Sequence, residues 1–164
     1  MSPEQFKNRI LFEDKFLLIV DKPAGIAVEK ISPQIITLED LVYSHLLLTA
    51  KKPFVGIVHR LDRPTTGIIV FARTSKALTR MNELFSNRET KKTYWAVVKN
   101  KPKETKAKLV HYLKRNEKNN TSKAHLKEVP DSKVASLDYK IIKELNNYFA
   151  LEINLHTGRH HQIR

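Results

Sequence analysis

Apolar residues in this chain gather into short runs, each closed by a turn signal, and this pattern constrains the fold more than any other feature. Ile10 to Phe12 and Phe16 to Val20 flank Glu13-Asp14-Lys15 and read as a hairpin, which Lys22-Pro23-Ala24-Gly25 then breaks. Ile68 to Ala72, Lys92 to Val98, Ala107 to Leu113, Val134 to Ile142 and Tyr148 to Leu155 are further runs of strand length. In the last of these, Phe149, Leu151, Ile153 and Leu155 alternate onto one face. Two segments have helical spacing instead. Thr37 can cap the first, with Asp40 at the capping-box position and Leu38, Leu41, Val42 and His45 on one face. Thr74-Ser75 caps the second, where Ala77, Leu78, Met81, Leu84 and Phe85 recur. Lys114 to Lys133 is polar and basic and reads as a long loop, mobile without a ligand. The pattern predicts an α+β fold, a mixed, mostly antiparallel β-sheet with flanking helices. Without an internal repeat or a clear linker, residues 1–164 read as one domain.

Composition narrows the function. The chain is 41% hydrophobic, enough for a core, and has no cysteine, which removes disulfides, thiolate metal sites and a Cys nucleophile. Met1 to Ile10 is polar with no signal-peptide pattern, and the longest apolar runs are too short to span a bilayer. A soluble, cytoplasmic protein is expected. Lys and Arg number 30 against 17 Asp and Glu, a net charge of +13. The excess is concentrated: Arg73 to Lys127 holds 16 basic and 4 acidic residues. Such a field attracts polyanions, RNA or DNA. A membrane surface fits less well, because no basic amphipathic helix with an aromatic face stands out.

Several residues could carry chemistry. Arg60 and Asp62, two apart in extended chain, point to one side ahead of the turn Pro64-Thr65-Thr66-Gly67. Asp62 can be a nucleophile or base there, or a structural ion-pair or turn-capping residue. His156, His160 and His161 invite a metal reading, but the Thr157-Gly158 break and the absence of a Glu-x-x pattern or a partner Cys argue against it. Arg159 and Arg164 among them suggest an anion site. Tyr94 and Trp95 follow Lys91-Lys92 on a strand, so one faces the core and the other away. An outward aromatic beside lysines suits base stacking, but Trp95 is expected to be packed.

Three segments in order resemble the motifs of RluA-type pseudouridine synthases. His59-Arg60-Leu61-Asp62-Arg63-Pro64-Thr65-Thr66-Gly67 is similar to the family signature around its essential Asp. Lys92-Thr93-Tyr94-Trp95-Ala96-Val97-Val98 resembles the strand that carries the active-site Tyr. His156-Thr157-Gly158-Arg159-His160-His161-Gln162-Ile163-Arg164 resembles the third motif, with His160 in place of the commoner Thr or Ser. Asp21-Lys22-Pro23-Ala24-Gly25-Ile26 also resembles the family's opening hairpin. The resemblance implies a pseudouridine synthase catalytic domain over 1–164, C-terminally incomplete and without an N-terminal S4 domain.

It also implies isomerisation of uridine to pseudouridine in structured RNA, ribosomal RNA first and transfer RNA second, by a monomer without metal or cofactor. Asp62 would be the catalytic carboxylate, Arg164 its charge partner and Tyr94 the residue stacked on uracil. Arg60 would fill the space of the extruded nucleotide or hold its phosphate. His59, Arg63, Thr66 and Arg159 would contact RNA, with Lys114 and Arg115 from the basic stretch. A basic RNA-binding module without turnover is the main alternative, and a base hydrolase using one Asp is the second.

Overall fold

A computed structural model describes residues 1–30, 32–87 and 89–164. The chain divides into two compact units, residues 1–87 and 88–164. Both are antiparallel in every strand pairing of the described residues. The α+β reading therefore holds, with the strands distributed over two sheets.

The first unit opens with α1 (Pro3–Lys7), a short helix the sequence reading leaves as polar N-terminus. Ser2 and Gln5 cap it reciprocally, and it buries Phe6. β1 (Ile10–Glu13) and β2 (Leu17–Lys22) form the expected hairpin. Asp14 accepts both the Phe16 and Leu17 amides at 2.7 Å, and the Leu17 bond, then the Phe16 bond, holds its carboxyl below the usual range. α2 (Leu38–Leu46) starts at Thr37 as the capping box requires. β3 (Gly56–Ile57), β4 (Gly67–Ala72) and α3 (Ser75–Ser86) complete the unit, and its sheet runs β1-β2-β4-β3.

Leu18 and Val20 of β2, Ile69 and Phe71 of β4, and Leu38 and Val42 of α2 are fully buried together. Burial of each such side chain contributes about 1.5–3 kcal/mol. On β2 the buried positions alternate as Leu18, Val20 and Lys22. The strand's parity thus carries a lysine into the core at the point where the chain leaves the sheet.

The second unit is a five-stranded sheet in the order β5-β9-β8-β6-β7. Its strands are β5 (Thr93–Val98), β6 (Lys106–Asn116), β7 (Thr121–His125), β8 (Lys133–Glu144) and β9 (Phe149–Leu155). Leu137, Leu151 and Ile153 form its buried centre. The expected loop from Lys114 is corrected here. β6 runs on to Asn116, turns through Asn120 at φ 50, and returns as β7, with Lys114 opposite Lys123. The backbone ladder holds this hairpin while most of its side chains face solvent, so no apolar alternation marks it. Among the described residues no helix is long and apolar enough to cross a membrane.

Candidate active site

In the first unit the site is a loop clamped onto a turn. β3 leads through His59 to Asp62, and the Asp62 carbonyl accepts the Thr65 amide at 2.9 Å, which closes the turn ahead of β4. Asp62 itself is half-buried. The facing turn is Pro23 to Ile26. There Gly25 has φ +88°, a conformation L side chains rarely adopt. Its amide donates to the Arg63 carbonyl at 2.8 Å, and Arg63 Nε donates back to the Gly25 carbonyl at 2.8 Å.

Under both segments sits Lys22, 0% exposed. Its ammonium donates to the carbonyls of Pro23 at 3.0 Å, Ile26 at 2.9 Å and Arg63 at 3.1 Å. Burial pushes it below the usual lysine range, and the Asp62 carboxylate pushes it back up. In the sequence Lys22 belongs to a strand break and to the segment resembling the family's opening hairpin, and nothing there assigns it to the core. The missed signal is its period-two spacing from Leu18 and Val20.

The other motif residues of this unit serve different purposes. His59 Nε2 accepts the Val70 amide at 3.2 Å, and its ring stacks on Phe85 with centroids 5.0 Å apart. A backbone N–H can only donate, so this bond requires an unprotonated Nε2. Arg60 is exposed and its guanidinium pairs with Glu29. Arg63 and Thr66 are exposed on the turn.

In the second unit Tyr94 packs against the Leu137, Leu151 and Ile153 centre. Strand parity turns Trp95 the other way and leaves it 78% exposed, which corrects the expectation that it packs. The choice could not be read from pattern alone, since Ala96 and Val98 accompany Tyr94 while Val97 accompanies Trp95. The segment after β9 is held by a part-buried network around the buried Thr157. The Ser136 amide donates to Thr157 Oγ1 at 2.8 Å, Thr157 Oγ1 donates to Gln162 Oε1 at 2.9 Å, and Gln162 Nε2 donates to the Ser136 carbonyl at 3.1 Å.

Arg159 hangs on this network. Its amide donates to Gln162 Oε1 at 2.9 Å and its Nε to the Val134 carbonyl at 2.8 Å. Arg164 is exposed, and its amide donates to the His161 carbonyl at 3.0 Å. The three histidines take different partners. His156 Nε2 meets Asp138 at 2.7 Å, His160 Nδ1 meets Ser122 Oγ at 2.9 Å, and the His161 ring stacks on His160. On the hairpin, Lys114 lies 3.4 Å from Asp131, and Arg115 donates to Asn120 at 3.4 Å.

Within the first unit, then, Asp62 and Arg63 are gathered around Lys22 and Gly25. Within the second, Arg159 is fixed by the same network that holds Thr157 and Gln162.

The chain matches the family model described as RNA pseudouridylate synthase over residues 16–164. It is 34% identical to an uncharacterised RNA pseudouridine synthase of Chlorobaculum parvum, covering 100% of this chain and 52% of the relative. It is 33% identical to ribosomal large subunit pseudouridine synthase D of Pasteurella multocida, covering 99% of this chain and 49% of the relative. The chain thus spans about half the length of these curated relatives. Its fold is similar to that of human RNA pseudouridylate synthase domain containing 4, with a TM-score of 0.82, 23% identity and 99% of this chain covered against 64% of the other. The chain belongs to the RNA pseudouridylate synthase family, in its RluA-type branch.

Proposed function

We propose that this chain supplies the catalytic part of an enzyme that isomerises uridine to pseudouridine in RNA, with ribosomal RNA the first substrate and transfer RNA the second. The observation that carries the reading is a match to the RNA pseudouridylate synthase model that runs through all three motif segments. The relative named ribosomal large subunit pseudouridine synthase D favours ribosomal RNA. The excess of basic residues from Arg73 to Lys127, of which Arg88 lies outside the described residues, suits a polyanionic substrate.

The reaction breaks the bond from uracil N1 to the ribose and remakes it at C5 after the base turns. Atoms are conserved throughout, so the chemistry requires a positioned carboxylate and a pocket for the freed base. Asp62 is the residue we assign as that carboxylate, either adding to the ribose or base or taking a ribose proton. Tyr94 is assigned to stack on the uracil, and Arg164 is the third catalytic residue. Arg60, Arg63, Thr66, Arg159, Lys114 and Arg115 are assigned to the RNA. His59 is assigned with them by the motif, while its bond to Val70 and its stack on Phe85 support a role in holding the loop. Extruding the target nucleotide costs a few kcal/mol, which phosphate contacts offset. The protein acts as a monomer in the cytoplasm.

Incubating the whole protein with ribosomal RNA transcripts and mapping pseudouridine by mass spectrometry tests this reading. A gain of pseudouridine at a discrete uridine, without release of free uracil, is expected. RNA binding with no pseudouridine formed would point to a binding module, and free uracil to a base hydrolase.

A further inference from the structure

We propose that the outer face of the second unit's sheet binds single-stranded RNA flanking the target nucleotide, with Trp95 as the base-stacking platform and Lys106 and Lys108 as the phosphate contacts. That the ligand is RNA rests on the proposed function.

Tyr94 and Trp95 are consecutive on β5, so their rings lie on opposite faces of the sheet. Tyr94 packs on the apolar face, with Leu137, Leu151 and Ile153. Trp95 stands on the other face and is 78% exposed, and Val97 on that same face is 64% exposed. An indole is among the largest apolar surfaces a side chain can bury. This one lies in water on the end strand of the order β5-β9-β8-β6-β7. Neither the core nor the assigned catalytic residues use it.

The register fixes its neighbours. Trp95 lies opposite Glu152, Glu152 opposite Lys140, and Lys140 opposite Lys106. In the next row Thr93, Asn154, Asp138 and Lys108 align in the same way. All these side chains share one face. Its carboxylates are occupied: Glu152 pairs with Lys140 at 2.8 Å, and Asp138 meets His156 Nε2 at 2.7 Å. Among the described residues, Lys106 and Lys108 have no ion-pair partner, and both are exposed. With Lys140, Asp138 and Asn154 they line a shallow depression of about 330 Å³, a volume at the low end for ligand clefts. Trp95 and the two lysines are three strand spacings apart, roughly 14 Å.

This arrangement selects the ligand. A protein segment laid over the face would take the Glu152–Lys140 pair and the Asp138 carboxylate out of water, a costly step. It would also find little apolar surface beyond Trp95 and Val97. A single strand of nucleic acid needs no apolar row. Every base has a π-face that stacks on an indole, and phosphates a few nucleotides away reach the lysines. The charge left uncompensated on the face is positive, complementary to a phosphate backbone.

Oligoadenylate is the probe for the test, because it offers no uridine to the catalytic site. Trp95 is the one tryptophan of this chain. Titrated into the whole protein, oligoadenylate is expected to quench the part of the tryptophan emission that Trp95→Phe removes, saturably and less at high salt. Trp95→Ala is expected to lower affinity for oligoadenylate about 10-fold, the order of one stacked base, and Trp95→Phe to recover most of it. Replacing Lys106 and Lys108 by Gln should flatten the salt dependence. Unquenched Trp95 emission, or wild-type affinity in Trp95→Ala, would overturn the proposal. So would Trp95 emission already blue-shifted in the free protein, the mark of a face covered by a further protein segment or a second copy. Absence of pseudouridine from the ribosomal transcripts would instead sink the proposed function and leave the oligoadenylate result standing.

Discussion

Gly25 and Arg63 are bonded to each other twice, once through each residue's carbonyl, at 2.8 Å in both directions. The pair joins the turn after β2 to the residue following Asp62, and it depends on a glycine backbone at φ +88°. A Cβ built at Gly25 meets nothing within 4 Å, so the cost of a side chain there is conformational alone. Gly25→Ala is expected to lower stability by about 1–2 kcal/mol, the penalty of an L residue in this region. Urea unfolding of the two proteins measures it, and an unchanged midpoint would show that the turn can adopt another conformation freely.

The Thr37–Asp40 capping box gives a pH-dependent prediction. Asp40 Oδ2 accepts the Thr37 amide at 2.9 Å and the Thr37 hydroxyl at 2.8 Å, and these bonds, the amide first, hold its carboxyl below the usual range. A depressed carboxyl contributes stability above its unfolded value, about 4, and loses that contribution as pH falls through the folded value. Asp40→Ala is therefore expected to cost about 1 kcal/mol at neutral pH. The gap should narrow as the pH is lowered below that of ordinary carboxylates. Thermal melts at neutral and acidic pH check this, and a constant gap would mean that the ionised carboxylate is not what caps α2.

These elements also mark what could be read in advance. Thr37 with Asp40, Thr74 ahead of α3, and the alternation from Phe149 to Leu155 are local signals, and each structural element begins where its signal lies. Asp62, Tyr94 and Arg164 stand out as candidates from their surroundings, but their catalytic roles are legible only through the family motifs. Their spacing alone left Asp62 open to an ion-pair or capping role. The β6–β7 hairpin was not legible beyond Leu113, because Lys114 to Asn116 and Thr121 to His125 pair through backbone while their side chains largely face solvent. Lys22 was hidden by chemical type: a lysine reads as surface, and only its register with Leu18 and Val20 betrays its burial.

The hairpin can be tested through its charge. Lys114, Arg115 and Lys118 lie at or near its tip, and the Lys114 contact to Asp131 at 3.4 Å is long and solvent-accessible. Affinity for single-stranded RNA is expected to fall with salt by roughly 0.7 in log K per log salt for each phosphate neutralised. Replacing the three residues by Gln should flatten that slope. A slope identical to wild type would mean that the hairpin does not contact phosphate.

The most direct test of the proposed chemistry is Asp62→Asn in the whole protein, with pseudouridine formation and RNA binding measured on one transcript. The amide keeps the shape of the carboxylate but can neither attack nor accept a proton. If Asp62 is the reacting carboxylate, the variant forms no pseudouridine while its RNA affinity stays within a few-fold of wild type. Measurable turnover by Asp62→Asn would contradict that role.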